Sequence, residues 1–511
     1  MPLASRAVRP IAPAVGGQSP PWPVPTQAIA GNAAGSLRRE SLHPAAAVLC
    51  HRLLTCVLAA LVPTGWHSVR GQAGAPADTT ATGGRMNVVV VLVDDLGWQD
   101  LSCQGSNYFE TPAIDRLAAE GMRFTRGYAA CTVCSPSRAA MMTGQSPARL
   151  HITDWIPGHH KPEAKLAPPG WTLELPLEVT TVAERLQSAG YATASIGKWH
   201  LGGPRYFPEH QGFEENIGGC QKGQPPSYFS PYGIPTLADG PAGEYLTDRE
   251  ATEAVRFMTA HRDEPFFLYL SHYCVHAPLQ GKPDVVARYE SKAAMDQSPQ
   301  QPAYAAMVES VDNALAQILE TLTALGIRER TAIFFTSDNG GQARVTDNRP
   351  LRAGKGSAYE GGVRVPLIVS WPGLTQPDTT SDVPVITQDI PVTILAATGV
   401  GAEPGQPVDG SDLSAVLAGG ALDRHALFWH YPHYHPGGAT PYSAILAGSW
   451  RLVHFYEDDR DELIKELLAE AHGLRMKNEQ ISLYTESKIA ELVKLQRELL
   501  TIRDGFETVV E

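Results

Sequence analysis

Two cysteines stand three apart in Cys131-Thr132-Val133-Cys134, and the second opens the run Cys134-Ser135-Pro136-Ser137-Arg138. A thiol, a rigid proline and a guanidinium this close together are able to do more than one kind of chemistry. As a Cys-x-x-Cys pair they could form a redox dithiol or half of a zinc site, and Cys131 could enter a disulfide. As a tight turn opening a helix over 137–142, they would set a nucleophile and a planar arginine fork at a helix amino terminus, where the dipole favours an anion. The sequence has no second cysteine pair with zinc spacing. Its other cysteines, at 50, 56, 103, 220 and 274, are scattered singly.

Acidic and basic groups recur after apolar runs. Asp94-Asp95 follows Val88 to Val93, Asp338-Asn339 follows Ile333 to Thr336, and the Ser271 to Leu279 segment with His276 follows Phe266 to Leu270. Taken singly, Asp-Asp and Asp-Asn-Gly are ordinary turn sequences. Their joint placement after buried strands is different, because ligands of open α/β sheets collect beyond the carboxyl ends of the strands. Three carboxylates and one amide oxygen make a hard, oxygen-rich site that fits calcium, or magnesium, better than zinc. In Gly197-Lys198-Trp199-His200, Lys198 and His200 alternate on an extended segment and can face one pocket. Lys355 lies in the glycine-rich stretch Gly354 to Gly362, where backbone can approach a ligand closely.

The elements that must position these groups read as alternating strands and helices, which predicts a mostly parallel sheet covered on both faces. Asn87 to Val93 is a continuous β-branched run, and further strands are expected at Tyr191 to Ile196, Pro265 to Leu270, Thr331 to Thr336 and Val365 to Ser370. Helical periodicity marks Ala113 to Glu120, Val179 to Ala189 and Leu246 to Ala260. It is clearest from Tyr304 through Leu322, where the apolar stripe is core packing. A Gly/Pro/Ala-rich stretch over 400–420 reads as a linker or long loop. Short strands are expected at Leu427 to Tyr431, Ser443 to Ala447 and Arg451 to Tyr456, with helices at Glu462 to Leu474 and Ser487 to Arg503. The organisation expected is a leader over 1–85, a catalytic domain over 86–425 and a smaller α+β subdomain over 426–511.

Together these motifs resemble the formylglycine-dependent sulfatases, from about Asn87 to Tyr456 and in family order. The resemblance is strongest to the arylsulfatase A and N-acetylgalactosamine-6-sulfatase type, and includes Thr111-Pro112-Ala113-Ile114-Asp115-Arg116-Leu117. It implies an alkaline-phosphatase-like fold and hydrolysis of sulfate esters, on sulfated carbohydrate with small aryl sulfates accepted. It also implies that an accessory enzyme oxidises Cys134 to formylglycine, whose hydrate is the nucleophile. The implied metal is calcium, with magnesium second, held by Asp94, Asp95, Asp338, Asn339 and the modified residue 134. By resemblance Arg138, Lys198 and Lys355 neutralise sulfate, and His200 supports the formylglycine hydroxyl and its elimination step. His276 holds sulfate or, like Lys355, assists the leaving alcohol. Departure from the family pattern begins after His454-Phe455-Tyr456, where a charged segment precedes Leu483-Tyr484.

Net charge of −13 over 511 residues offers no global basic field for nucleic acid or anionic membrane, so an anionic substrate needs a local basic pocket. Seven cysteines do not make a disulfide scaffold in a chain of this length. The apolar run Leu53 to Val62 is too short to span a bilayer comfortably. With basic residues before it and Gly71 and Ala73 after it, it reads as a secretory signal behind a Pro-rich leader, implying a periplasmic or secreted protein. Loops carrying Thr153-Asp154-Trp155, His159-His160 and Trp429 to His435 could flank a sugar ring, or the histidines could hold a second metal. Two other readings stand beside the hydrolase. One is phosphate or phosphonate ester hydrolysis on the same fold, and the other is a non-catalytic binder of sulfated glycans with Cys134 unmodified.

Overall fold

The computed structural model describes residues 85–296 and 301–465. The leader, the helix expected at Ser487 to Arg503 and most of that expected from Glu462 lie outside them. In chain order the strands are β1 (Asn87–Val93), β2 (Met122–Phe124), β3 (Gly127–Tyr128), β4 (Ala192–Gly197), β5 (Glu215–Ile217), β6 (Phe266–Ser271) and β7 (Thr331–Ser337). There follow β8 (Leu367–Ser370), β9 (Thr379–Ser381), β10 (Val385–Ile386), β11 (Leu427–Tyr431), β12 (Tyr442–Ala447), β13 (Trp450–Phe455) and β14 (Arg460–Lys465). The main sheet has the order β5-β4-β6-β1-β7-β8-β2-β9. Its first five strands are mutually parallel, whereas β8 runs antiparallel to both β7 and β2.

β1 forms at the centre because Val88 to Val93 carry apolar side chains on both faces, and all are buried. Val89, Val91 and Val93 join one core with Leu246, Phe257, Met307, Val311 and Leu315 of two helices, Leu246–Ala260 and Pro302–Ala324. Val88, Val90 and Leu92 join the opposite core with Ala139, Met141, Ile390 and Ile394. The sheet is therefore sandwiched by helices, as the alternating pattern predicts.

Helix Pro112–Ala119 gets no side-chain cap from its own Thr111. Its amino end is instead satisfied by the buried Asp312 of helix Pro302–Ala324, which accepts from the N–H of Ile114 at 2.8 Å and of Ala113 at 3.2 Å. Burial raises the Asp312 pKa to about 6, although the two N–H donors oppose the shift. Asp312→Ala is expected to lower stability by about 2 kcal/mol, since two buried donors lose their acceptor. The urea midpoint should fall with the slope unchanged.

The small sheet β11-β12-β13-β14 is an antiparallel meander. Here the structure corrects the sequence expectation, because residues 460–465 form an edge strand where a helix was expected to start at Glu462. Backbone pairing with β13 through the turn at Asp459, whose φ is 46°, overrides the helical spacing of Leu463, Leu467 and Leu468. The meander packs on loops of the main sheet. Trp429 Nε1 donates to the Ala129 carbonyl at 2.9 Å, and Arg451 Nε donates to that of Ala358 at 2.9 Å.

Candidate active site

Adjacent parallel strands release their carboxyl ends at one edge, so residues remote in sequence emerge side by side. β1 delivers Asp94 and Asp95, and β7 delivers Asp338 and Asn339. β6 leads through Ser271 to His276, and β4 leads to Lys198 and His200. Gly197 ends β4 with φ 94°, and a Cβ there would meet the Ser271 carbonyl oxygen at 2.0 Å. Glycine thus lets the two strands close where Lys198 N–H donates to Ser271 O at 2.7 Å. Asp95 and His200 both adopt left-handed backbone, with φ of 63° and 62°. Such non-glycine conformations cost about 1 kcal/mol or more each. Both are pinned by hydrogen bonds, Asp95 N–H to Asp338 Oδ1 at 3.2 Å and His200 N–H to the Cys220 carbonyl at 2.9 Å.

Cys134 is the first residue of the Cys134–Thr143 helix, every residue of which is buried. All five described cysteines are free thiols, so the Cys131–Cys134 pair makes no disulfide. Cys134 Sγ lies 3.3 Å from His200 Nδ1, and His200 Nε2 donates to the Ile156 carbonyl at 2.5 Å. That second bond fixes the tautomer, leaving the Nδ1 lone pair toward residue 134. Burial, and then Lys198, push the His200 pKa well below the ordinary histidine value, so the ring is neutral. Ile156 is itself held, because its N–H donates to Ser135 Oγ at 3.1 Å.

The charges interlock. Lys198 Nζ donates to Asp94 Oδ2 at 2.6 Å, and Lys355 Nζ pairs with Asp95 Oδ1 at 2.5 Å. Arg138 donates from Nε to Asp338 Oδ2 at 2.9 Å, and from Nη1 to the Lys198 carbonyl at 2.8 Å and Ser271 Oγ at 2.6 Å. Its guanidinium therefore braces β4, β6 and β7 against one another. Three carboxylates face three cations, with uneven effects on titration. Burial and then Asp338 hold the Asp94 pKa well above the usual range. For Asp95 burial pushes the same way, but Lys355 and His276 outweigh it and the pKa is lowered. Asp338 is likewise lowered, burial being overcome by Arg138 and Lys198.

His276 donates from Nδ1 to the Ala277 carbonyl at 2.9 Å and turns Nε2 toward Asp95 Oδ2 at 3.7 Å. Burial, and then Lys355, lower its pKa to about 3. Asp94, Asp95 and His276 each offer a ligand atom within 4.8 Å of the others. Two oxygens here, Asp94 Oδ1 and Asn339 Oδ1, are buried without a hydrogen bond among the described residues, the former 3.9 Å from Arg138 Nη2. Asn339 gives its Nδ2 to Asp95 Oδ1 at 2.7 Å, which turns its own oxygen free. Buried acceptors without donors, set among carboxylates, are the environment a hard cation satisfies.

All ten residues singled out by sequence reasoning thus lie in one interlocked cluster at the carboxyl edge of the sheet. Sequence reasoning missed Ser271, the Ile156 carbonyl and the bracing part of Arg138, for which no motif gives a signal. The chain matches the Sulfatase family model over residues 86–400 and an N-sulphoglucosamine sulphohydrolase C-terminal model over 354–504. It is 33% identical to human arylsulfatase A over 410 residues, covering 72% of this chain and 75% of that protein. To N-acetylgalactosamine-6-sulfatase of Canis lupus familiaris it is 33% identical, covering 72% of each. The solved structure of Ps i-CgsB in complex with k-i-k-neocarrahexaose is 27% identical with a TM-score of 0.66, over 80% of this chain and 92% of that one.

Proposed function

The chain belongs to the sulfatase family of sulfate ester hydrolases, and from that premise we propose that it desulfates carbohydrate, accepting small aryl sulfates as well. The observation that carries this reading is the joining of Cys134, at the start of a buried helix, to a cluster holding both cations for an anion and orphaned oxygens for a metal. A carbohydrate substrate is supported by relatives named N-acetylgalactosamine-6-sulfatase and by a neighbour solved in complex with k-i-k-neocarrahexaose.

Residue 134 would act as formylglycine, which would supply a hydrated aldehyde as the nucleophile that displaces the alcohol from sulfur and, through its second hydroxyl, a route for sulfate to leave. The Asp94, Asp95, Asp338 and Asn339 oxygens would hold calcium, which would supply Lewis-acid polarisation of sulfate. Lys198 and Lys355 neutralise the sulfate oxygens, and their carboxylate partners keep both ammonium groups aimed inward. His200, neutral with its Nδ1 lone pair toward residue 134, accepts the proton released there. His276 orients sulfate, while Lys355, whose positive charge is stabilised by Asp95 despite burial, assists the departing alcohol. Arg138 acts as a positioning residue, holding Asp338 and the Lys198 backbone in place.

Ser135 holds the Ile156 N–H and so positions the residue whose carbonyl sets the His200 tautomer, and Ser135→Ala is expected to lower kcat about 5-fold with KM little changed. A changed KM at constant kcat would instead assign Ser135 to substrate binding.

The reading is tested on full-length protein made with a formylglycine-generating enzyme. Mass spectrometry of the tryptic peptide 127–138 should show a loss of about 18 Da, the change from thiol-bearing methylene to aldehyde. Matched sulfate and phosphate monoesters should then show preference for sulfate. A phosphate preference would overturn the assignment, and an unmodified Cys134 with tight glycan binding and no turnover would favour a binder. Export to the periplasm or beyond, from the leader reading, is checked by the amino-terminal sequence of mature protein.

A further inference from the structure

The histidines of the 429–435 stretch, which look alike in sequence, differ in the fold. His430 Nδ1 is hydrogen-bonded to Ser443 Oγ at 2.8 Å, and His433 Nε2 to Thr153 Oγ1 at 2.8 Å with its ring against Trp171. His435 is placed otherwise. Its ring lies flat on the backbone of Gly356, so closely that a Cβ there would come within 2.1 Å of Nδ1 and 2.3 Å of Cγ. Gly356 follows Lys355, and its N–H donates to the Thr132 carbonyl at 2.9 Å, two residues before Cys134. A side-chain-free position is thus required where the small sheet's β11–β12 connection lies over the sulfate-binding lysine. That connection is closed by its own bonds, His435 N–H to Ala439 O at 3.0 Å and Gly438 N–H to His435 O at 2.9 Å.

A backbone donor fixes the chemistry of the ring. Gly437 N–H donates to His435 Nδ1 at 3.0 Å, so Nδ1 is an acceptor and the proton of the neutral ring sits on Nε2. Among the described residues Nε2 makes no hydrogen bond. Burial, and then Lys355, hold the His435 pKa down at about 4, so the ring is uncharged at neutral pH. The lysines already serve the sulfate, and an N–H donor without charge is able to serve an uncharged oxygen beside it.

Exposure tells which end of the substrate it meets. The side chains of Arg138 and Lys198 are fully buried, that of Lys355 is 10% exposed and that of His276 18%. His435 is partly exposed as Lys355 and His276 are, and it packs on Gly356 next to Lys355. The anion end of the site therefore lies at the floor with Arg138 and Lys198, and the alcohol that carries the sulfate leaves on the side of the partly exposed Lys355, His276 and His435.

We propose that His435 is a specificity-determining residue of a leaving-group subsite, its Nε2–H donating to a hydroxyl or ring oxygen of the sugar that bears the sulfate. This rests on the carbohydrate reading above. Formylglycine-matured full-length protein, with H435A and H435Q, is assayed on 4-nitrophenyl sulfate and on monosulfated galactose, N-acetylgalactosamine and N-acetylglucosamine. The readout is the ratio of kcat/KM for the best sugar sulfate to that for the aryl sulfate, which cancels any loss of folded protein. That ratio should fall about 10-fold in H435A, the size of one neutral hydrogen bond, and recover to within about 3-fold in H435Q, whose amide can donate. An unchanged ratio in H435A, or equal ratios in the two variants, overturns the donor role. Wild-type turnover of the aryl sulfate with none of the sugars overturns the carbohydrate reading itself.

Discussion

Cys134→Ala protein is expected to bind sulfated substrate and release no sulfate, with kcat reduced about 10⁴-fold or more, because it is residue 134 that faces His200 Nδ1, while the neighbouring Ser135 and Ser137 hydroxyls are engaged by the Ile156 N–H and the Cys131 backbone. Cys134→Ser is the more discriminating variant. A serine hydroxyl at this position keeps His200 Nδ1 as its base and is surrounded by the same cations, so it should attack sulfur. It lacks the second hydroxyl needed to expel sulfate afterwards. The expected result is a single turnover, read as release of one equivalent of alcohol and a gain of about 80 Da on the tryptic peptide. Sustained turnover by Cys134→Ser would show that the hydrate is not required, and would move the protein away from formylglycine chemistry. The folded state should survive both substitutions, since Cys134 is a small buried group whose side chain, among the described residues, is hydrogen-bonded to His200 alone.

Removal of divalent cations is expected to have the second large effect. Lewis-acid stabilisation of several kcal/mol at a sulfate oxygen corresponds to a loss of about 100-fold or more in kcat on chelation. Calcium should restore activity more fully than magnesium, because the Asp94, Asp95, Asp338 and Asn339 oxygens are set by separate strands and supply no small octahedral cage. Stability gives an independent readout. Calcium at one hundred times its Kd adds about 2.7 kcal/mol, which for a domain of this size raises Tm by about 3 °C. Asp338→Asn should abolish that shift. The same variant weakens the brace on Arg138, so its Tm without calcium should also fall, and only the missing response to calcium reports on the metal. An Asp338→Asn protein that still gained 3 °C would remove this residue from the ligand set.

The site and the sheet were legible in the sequence to different depths. β1 could be read directly, since an unbroken run of β-branched residues is stable only where both faces are covered. The helix 302–324 could be read because its apolar stripe repeats at helical spacing through Leu322. β2, of three residues, and the antiparallel direction of β8 carry no such signal. The strand at 460–465 was misread, because the leucines of the following segment suggest helix and only pairing with β13 reveals an edge strand.

By itself the sequence determined which groups the chemistry has at its disposal: Asp94-Asp95, Lys198 and His200, His276 and Asp338-Asn339 after strand ends, Cys134 to Arg138 at a helix start and Lys355 in a glycine-rich stretch. Only the tertiary structure decided what each group does with its charge or proton. Arg138 spends its guanidinium on Asp338, Ser271 and the Lys198 carbonyl, the Ile156 carbonyl sets the tautomer of His200, and His435 rather than His433 lies over the site. The physical reason is that local spacing records which face of an element a residue occupies. Hydrogen-bond partners from distant parts of the chain exist only after strands have paired and loops have packed, when each buried donor and acceptor must find its complement.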